Sequence, residues 1–227
     1  TVPGNLIWGP NAESVQDRLD LGNTAAGMAE VRAKAARSVP GIEWRQNIRN
    51  FAGLRANTTR SDFIIEESKA HPGFIDLAGI KSPGLSSAPA IARLAAEMLA
   101  ADGLTLEPDP SFQDKREHIV FKELSAEEKN ELIRKDPRYG RVVCRCETVT
   151  EGEIVAALHS PIPPRSINGV KRRCNAGMGR CQGGFCGPRV QEIIARELGL
   201  DQADVLLEQA GSYILTGKTK TGGNGNV

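Results

Sequence analysis

The sequence predicts an α+β chain in two parts: a β-rich first unit and a small all-α second unit wrapped around cysteines. Three observations predict it. The 227 residues suffice for two small domains, and a hydrophobic fraction of 40% with a charged fraction of 25% matches globular chains rather than disordered ones. Strand-like and helix-like patterns alternate as far as Leu104, and capping boxes with helical stripes follow. All five cysteines fall between positions 144 and 186. Lys plus Arg is 29 against 28 for Asp plus Glu, so no summed field draws in nucleic acid or anionic lipid, and a polyanion-coating role is excluded. The longest apolar stretch, 91–101, is interrupted by Arg93 and Glu97 and falls short of the roughly 20 residues that span a bilayer. The chain opens Thr1-Val2-Pro3-Gly4, without a basic and apolar leader, and reads as a processed or excised piece with no secretory signal.

In the first unit, residues 1–104, Leu6-Ile7-Trp8 reads as a short buried run ending at Gly9-Pro10. Thr24 caps a helix through about Ser38, with Met28, Val31 and Ala35 on one stripe and Pro40-Gly41 beyond its end. Two β-rich runs, 48–59 and 63–80, are separated by Arg60-Ser61-Asp62 and broken at His71-Pro72-Gly73, as in a hairpin or meander. The next helix starts near Ser86 or Ser87, carries Ile91, Leu94, Ala95, Met98 and Leu99 at helical spacing, and stops at Gly103.

Residues 105–139 read as a linker with one helix, flanked by Pro108, Pro110 and Pro137 and opened by the capping box Ser125-Ala-Glu-Glu128. In residues 140–206 a second capping box, Thr150-Glu-Gly-Glu153, opens a helix with Ile154, Val155 and Leu158 inward. A Pro-rich loop at 160–165 follows. The last helix starts at Gly187-Pro188, buries Val190, Ile193, Ile194 and Leu198, and ends at Gly199. Residues 207–227 form a tail whose end, 221–227, is low in complexity.

Cys144-Arg-Cys146 precedes one helix, and Cys181-Gln-Gly-Gly-Phe-Cys186 runs into the start of another. Two short pairs on separate loops can bring four thiolates around one inorganic centre. An odd, clustered set without a signal peptide suits metal or redox chemistry better than a disulfide framework. The helix start beside Cys186 is expected to favour thiolate, and Arg145, Lys171, Arg172, Arg173 and Arg180 to offset the charge of the sulfurs. Gly177, Gly179, Gly183 and Gly184 let backbone N–H groups approach sulfur. Iron–sulfur and zinc both accept four cysteines. Cys-x-Cys is less typical of structural zinc, and the longer pair is neutral, so spacing leaves both open. Cys174 falls outside the two pairs, where no ligand is expected. His71, His118 and His159 read as surface or turn residues, Trp8 and Trp44 as packing, and Lys171-Arg-Arg173 as a solvated basic face. Asp62 and Glu66 show no acid/base pairing.

The run Cys144-Arg-Cys-Glu-Thr-Val-Thr-Glu-Gly-Glu-Ile154, with Lys171-Arg-Arg and Gly177-Met-Gly-Arg-Cys-Gln-Gly-Gly-Phe-Cys186, closely resembles the bacterioferritin-associated-ferredoxin-like (BFD-like) 2Fe-2S domain over about residues 141–200. It is most similar to the version appended to flavin-dependent dehydrogenases of the anaerobic glycerol-3-phosphate dehydrogenase type. The resemblance implies a 2Fe-2S cluster with Cys144, Cys146, Cys181 and Cys186 on the ligand positions. Phe51-Ala-Gly-Leu-Arg55-Ala and the run from Gly73 to Ala92, which contains Ala78-Gly-Ile-Lys-Ser-Pro-Gly-Leu85, resemble the closing segments of the D-amino-acid-oxidase-like FAD-dependent oxidoreductase fold over about residues 4–103. That implies a wall for flavin and substrate. Gly79, Ser82, Gly84 and Leu85 would face the pyrimidine edge of FAD, where N–H groups at a helix start stabilise charge on the reduced ring. Arg55 would face the anionic group of the substrate.

One departure qualifies the second resemblance. No Gly-x-Gly-x-x-Gly follows an N-terminal strand, and Leu21-Gly-Asn-Thr-Ala-Ala-Gly27 has its glycines at the wrong spacing for a pyrophosphate. The chain is therefore expected to be the C-terminal part of a cytoplasmic flavoprotein oxidoreductase, to hold FAD only with the missing N-terminal segment, and to be inactive alone. Its expected partners are that N-terminal part, an electron-acceptor protein or subunit, and a small anionic substrate: a polyol phosphate, a hydroxy acid or an amino acid. The alternative is a non-catalytic interaction module stabilised by a four-cysteine zinc site or a cluster.

Overall fold

Thr24 begins the first regular element, because its hydroxyl accepts the Gly27 N–H at 3.0 Å in the computed structural model, which describes residues 1, 4–115, 118–217 and 219. The low-complexity stretch 221–227 lies outside them. Two compact units are present, Thr1–Asp114 and Lys115–Val227.

In the first unit α1 spans Ala25–Ser38 and buries Gly27 and Val31, with Met28 and Ala35 half-buried beside them. Strands β1 (Ile64–Glu67) and β2 (Ile75–Ala78) pair antiparallel, Ile64 opposite Ala78 and Glu67 opposite Ile75. The pairing is shorter than the β-rich runs suggest. Residues 48–59 form no strand, and their β-favouring side chains are interrupted by Asn50, Gly53 and Asn57. Helix α2 (Gly84–Ala101) starts ahead of Ser86 and Ser87, whose hydroxyls donate back to the Pro83 carbonyl instead of capping. Ile91 is buried on it, and Leu94 is exposed. Leu6 and Ile7 are 64% and 67% exposed, which corrects the expected buried run. Two helices and one hairpin offer little to cover them. Only Trp8 is half-buried, its ring edge-to-face with Trp44 at 4.4 Å.

The second unit packs more densely. Helix α3 (Ala126–Lys135) carries the complete Ser125–Glu128 capping box. Strands β3 (Val142–Cys144) and β4 (Val149–Thr150) then form a small antiparallel pair, so this unit is not all-α. The turn at 145–148, which contains Cys146, folds the chain back, and Val142 meets Thr150 across it. Helix α4 (Glu151–Leu158) opens on the reciprocal Thr150–Glu153 box. Helix α5 (Ile167–Cys174), hidden behind the Pro-rich loop, is capped by Ser166 and closed by Asn175 at φ 64°. Helix α6 (Gly187–Leu198) begins with Pro at its second residue and ends at Gly199 with φ 66°. Ile154, Leu158, Val170, Val190, Ile194 and Val205 are fully buried between these helices.

Two contacts bring the segment before the cysteines onto this core. The Phe121 N–H donates to Glu153 Oε1 at 3.1 Å, and the buried Tyr139 ring fills the space that a Cβ on Gly152 would enter, 2.6 Å away. At the other end, the Ile167 and Asn168 N–H groups donate to the Leu206 and Leu207 carbonyls, and Arg172 forks onto Glu208.

Glu197 on α6 shares a 2.7 Å hydrogen bond with His159 Nε2 and accepts from Arg196. The His159 bond, then Arg196, holds its carboxyl below the usual range despite burial. A depressed folded pKa stabilises the fold above the unfolded carboxylate value of about 4.3, and that stabilisation is lost as pH falls through the folded value. Glu197→Gln should therefore lower denaturant stability at neutral pH and shrink the loss on acidification below about pH 4, read by urea unfolding at several pH values.

Candidate metal centre

Cys144 ends β3, Cys146 lies in the turn to β4, and Cys181 and Cys186 bracket the turn that becomes α6. Packing of α4, α5 and α6 on one core brings these two loops together. Cys146 Sγ lies 3.6 Å from Cys181 Sγ, and Cys144 is hydrogen-bonded to Cys186. Each pair thus takes one sulfur from each loop. Cys144 and Cys186 are 1% and 3% exposed, Cys181 is half-buried and Cys146 is exposed. Among the described residues, no group of three or more His, Cys, Asp or Glu surrounds a single-ion position. The sulfurs form two pairs.

Glycine makes the approach possible. A Cβ on Gly179 would lie 2.2 Å from Cys146 Cβ, inside the distance that real carbon atoms show. Gly177, at φ +92°, donates its N–H to Cys144 Sγ at 3.5 Å, and the Gly183 backbone runs within 3.6 Å of where its Cβ would stand. The Phe185, Gly183 and Gly184 N–H groups point at the Cys181 sulfur. Gln182, itself left-handed at φ 48°, donates to the Met178 and Gly179 carbonyls and accepts from Lys171 Nζ at 3.1 Å.

As free thiols the cysteines differ. The Phe185 N–H, then the hydrogen bond with Cys146, holds Cys181 below the ordinary thiol range. Burial, then the Cys144 sulfur, pushes Cys186 up to about 12. Removal from water at Cys186 acts against the charge that a helix start would favour. Cys174 stands apart, its thiol bonded to the Val170 carbonyl of its own helix and pushed up to about 11 by burial. The donor set fits an iron–sulfur centre: two sulfur pairs that each draw on both loops, an N–H group donated to Cys144, and at Gly179 a backbone too close to Cys146 for any side chain.

The flanking cations divide. Arg145 and Arg180 are exposed next to the exposed sulfurs, whereas Lys171 is buried, Arg172 is paired with Glu208 and Arg173 donates to the Ile162 carbonyl. Lys171 is thus an internal tether, whereas Arg172 and Arg173 lie exposed, as expected of a solvated basic face, while engaging a carboxylate and a carbonyl. The role of Gln182 was not legible in sequence. Nor was the second role of Glu153, because its Phe121 donor lies 32 residues away.

In the first unit Gly79 follows β2 at φ +68°, and its Cβ would meet Thr58 Oγ1 at 3.0 Å. Ser82 and Gly84 form the turn into α2, and Leu85, 93% exposed, sits in the helix's first turn. These four residues share one strand-to-helix turn, with Arg55 exposed in the irregular segment before Thr58.

Gly179→Ala should abolish most iron and sulfide loading while leaving far-UV circular dichroism near that of the parent. Gly187→Ala, where a Cβ meets nothing within 4 Å, should load normally.

Comparison with known proteins follows the same division. A family model described as FAD dependent oxidoreductase matches residues 1–98, and one described as BFD-like [2Fe-2S] binding domain matches residues 142–196. A glycerol 3-phosphate dehydrogenase of Caloramator mitchellensis is 51% identical over 222 residues, 97% of this chain and 46% of that protein. A glycerol 3-phosphate oxidase of Mycoplasma genitalium is 38% identical over 100 residues, 43% of this chain and 26% of its own length. One subunit of the anaerobic glycerol-3-phosphate dehydrogenase of Escherichia coli is 38% identical over 55 residues, 24% of this chain and 10% of its own. The chain thus spans less than half the length of each. No solved structure gives a significant match. Among the described residues no helix is long and apolar enough to cross a membrane. The chain is thus similar to glycerol 3-phosphate dehydrogenases and oxidases, with a segment that matches the FAD dependent oxidoreductase model followed by one that matches the BFD-like [2Fe-2S] binding domain model.

Proposed function

We propose that this chain is the C-terminal part of a cytoplasmic flavin-dependent dehydrogenase that oxidises a small polyol phosphate, hydroxy acid or amino acid, with glycerol 3-phosphate favoured by the relatives' names. Residues 1–104 supply part of the flavin and substrate wall, 105–139 the connection, 140–206 the cluster domain and 207–227 the tail. The observation that carries the reading is the closure of the two cysteine loops on each other, with Cys146 Sγ 3.6 Å from Cys181 Sγ.

Cys144, Cys146, Cys181 and Cys186 hold the 2Fe-2S cluster. When bound, FAD supplies hydride acceptance and the cluster supplies one-electron transfer to an acceptor protein or subunit. The chain's own residues set the conditions for this. Gly177 directs its N–H at Cys144, and Gly183, Gly184 and Phe185 direct theirs at Cys181, so the sulfurs hold negative charge with fixed dipoles rather than mobile water. Burial of Cys144 and Cys186 excludes solvent from one side. In the first unit the α2 first turn directs N–H groups, around Gly79, Ser82, Gly84 and Leu85, to the pyrimidine edge of FAD. Arg55 receives the substrate's anionic group as a planar fork. The pyrophosphate is held by the N-terminal part of the same enzyme.

Anaerobic purification should give equal amounts of iron and acid-labile sulfide, with a red-brown absorption that dithionite bleaches. Stoichiometric zinc without sulfide would contradict this and support the interaction-module reading. Titration of FAD into the chain alone should show no tight binding. Tight binding would overturn the assignment to a C-terminal part.

A further inference from the structure

We infer that electrons leave this chain through the Cys146–Cys181 edge, and that Arg145 and Arg180 make that edge a docking surface for a protein with an acidic face around its one-electron acceptor. The inference rests on the cluster assignment above and deepens it.

The two sulfur pairs stand in opposite environments. Cys144 and Cys186 are enclosed by the helical core, at 1% and 3% exposure. Cys146 is exposed and Cys181 half-buried. The exposed pair is therefore the side of the centre that meets water and partners.

Two exposed cations and one paired carboxylate flank the edge. Arg145 precedes Cys146, Arg180 precedes Cys181, and both are exposed. The nearby carboxylate Glu147 lies 3.6 Å from Lys122, so its charge is offset. Phe185 and Met178, at 86% and 44% exposure, add apolar contact beside the cations. A cationic rim around an apolar centre is complementary to an acidic protein surface, and its charges act on encounter rate more than on final affinity. The transfer itself is outer-sphere. One electron passes from the reduced centre to the acceptor, no bond forms or breaks, and no proton moves.

The test uses the full chain loaded with iron and sulfide, reduced with dithionite, and reoxidised in a stopped-flow instrument by two small oxidants of opposite charge: ferricyanide and the oxidised tris-phenanthroline complex of cobalt. Arg145→Glu and Arg180→Glu should each slow ferricyanide several-fold and speed the cationic complex, with larger changes in the double variant. Visible spectra should stay unchanged. Arg134→Glu on α3 makes the same change in net charge and should behave like the parent. Added salt should compress all differences. If Arg134→Glu shifts the rates as much as the edge variants do, or the edge variants shift neither, the loaded chain passes electrons elsewhere and the inference falls while the cluster assignment stands. A chain that takes up no iron or sulfide would overturn the assignment itself, and this inference with it.

Discussion

The structure depends on how closely two loops can approach before their sulfurs and backbones collide. Four thiolates repel one another and are stable together only where cations or oriented N–H groups offset their charge. Here the approach is set by Gly179, pressed against Cys146, while Gly177 and Gly183 hold φ values of +92° and +88° that favour glycine. The same turn supplies the N–H groups, so closeness and charge compensation come from one stretch of backbone. A side chain at 179 would remove both.

The surrounding fold holds those loops in register. The Thr150–Glu153 box fixes the start of α4 directly after the first cysteine turn, and Glu153 also takes the Phe121 N–H from the preceding segment. One buried carboxylate therefore ties the entry of the domain to the strand pair that ends at Cys144. On the far side Lys171 of α5 reaches Gln182, whose amide spans the 178–182 turn. The second loop is tethered to a neighbouring helix as well as to the start of α6.

Five helix boundaries were legible from local signals. Thr24, Ser125, Thr150, Pro188 and Gly199 mark ends that the structure reproduces within a residue or two, because these signals are local. Helix α5 was missed because the prolines before it read as a continuing loop and its cap, Ser166, has no Glu or Gln three residues on. The strand pair β3–β4 was missed because it is too short for alternation to show. In the candidate centre the sulfur positions and glycines could be read from spacing. The partners of Lys171, Arg172 and Arg173 could not, since each bonds a residue at least 11 positions away. In the first unit, burial of Leu6 and Ile7 was inferred from composition alone, and hydrophobicity says nothing about what is available to cover a side chain.

The central claim is that sulfurs from both loops share one inorganic core, and iron X-ray absorption on the loaded full chain tests it most directly. The account predicts a shell of sulfur alone around iron together with a short iron–iron distance, both lost when either Cys144→Ser or Cys181→Ser is introduced. An oxygen or nitrogen shell without iron–iron scattering, or a spectrum indifferent to a change in either loop, would contradict it.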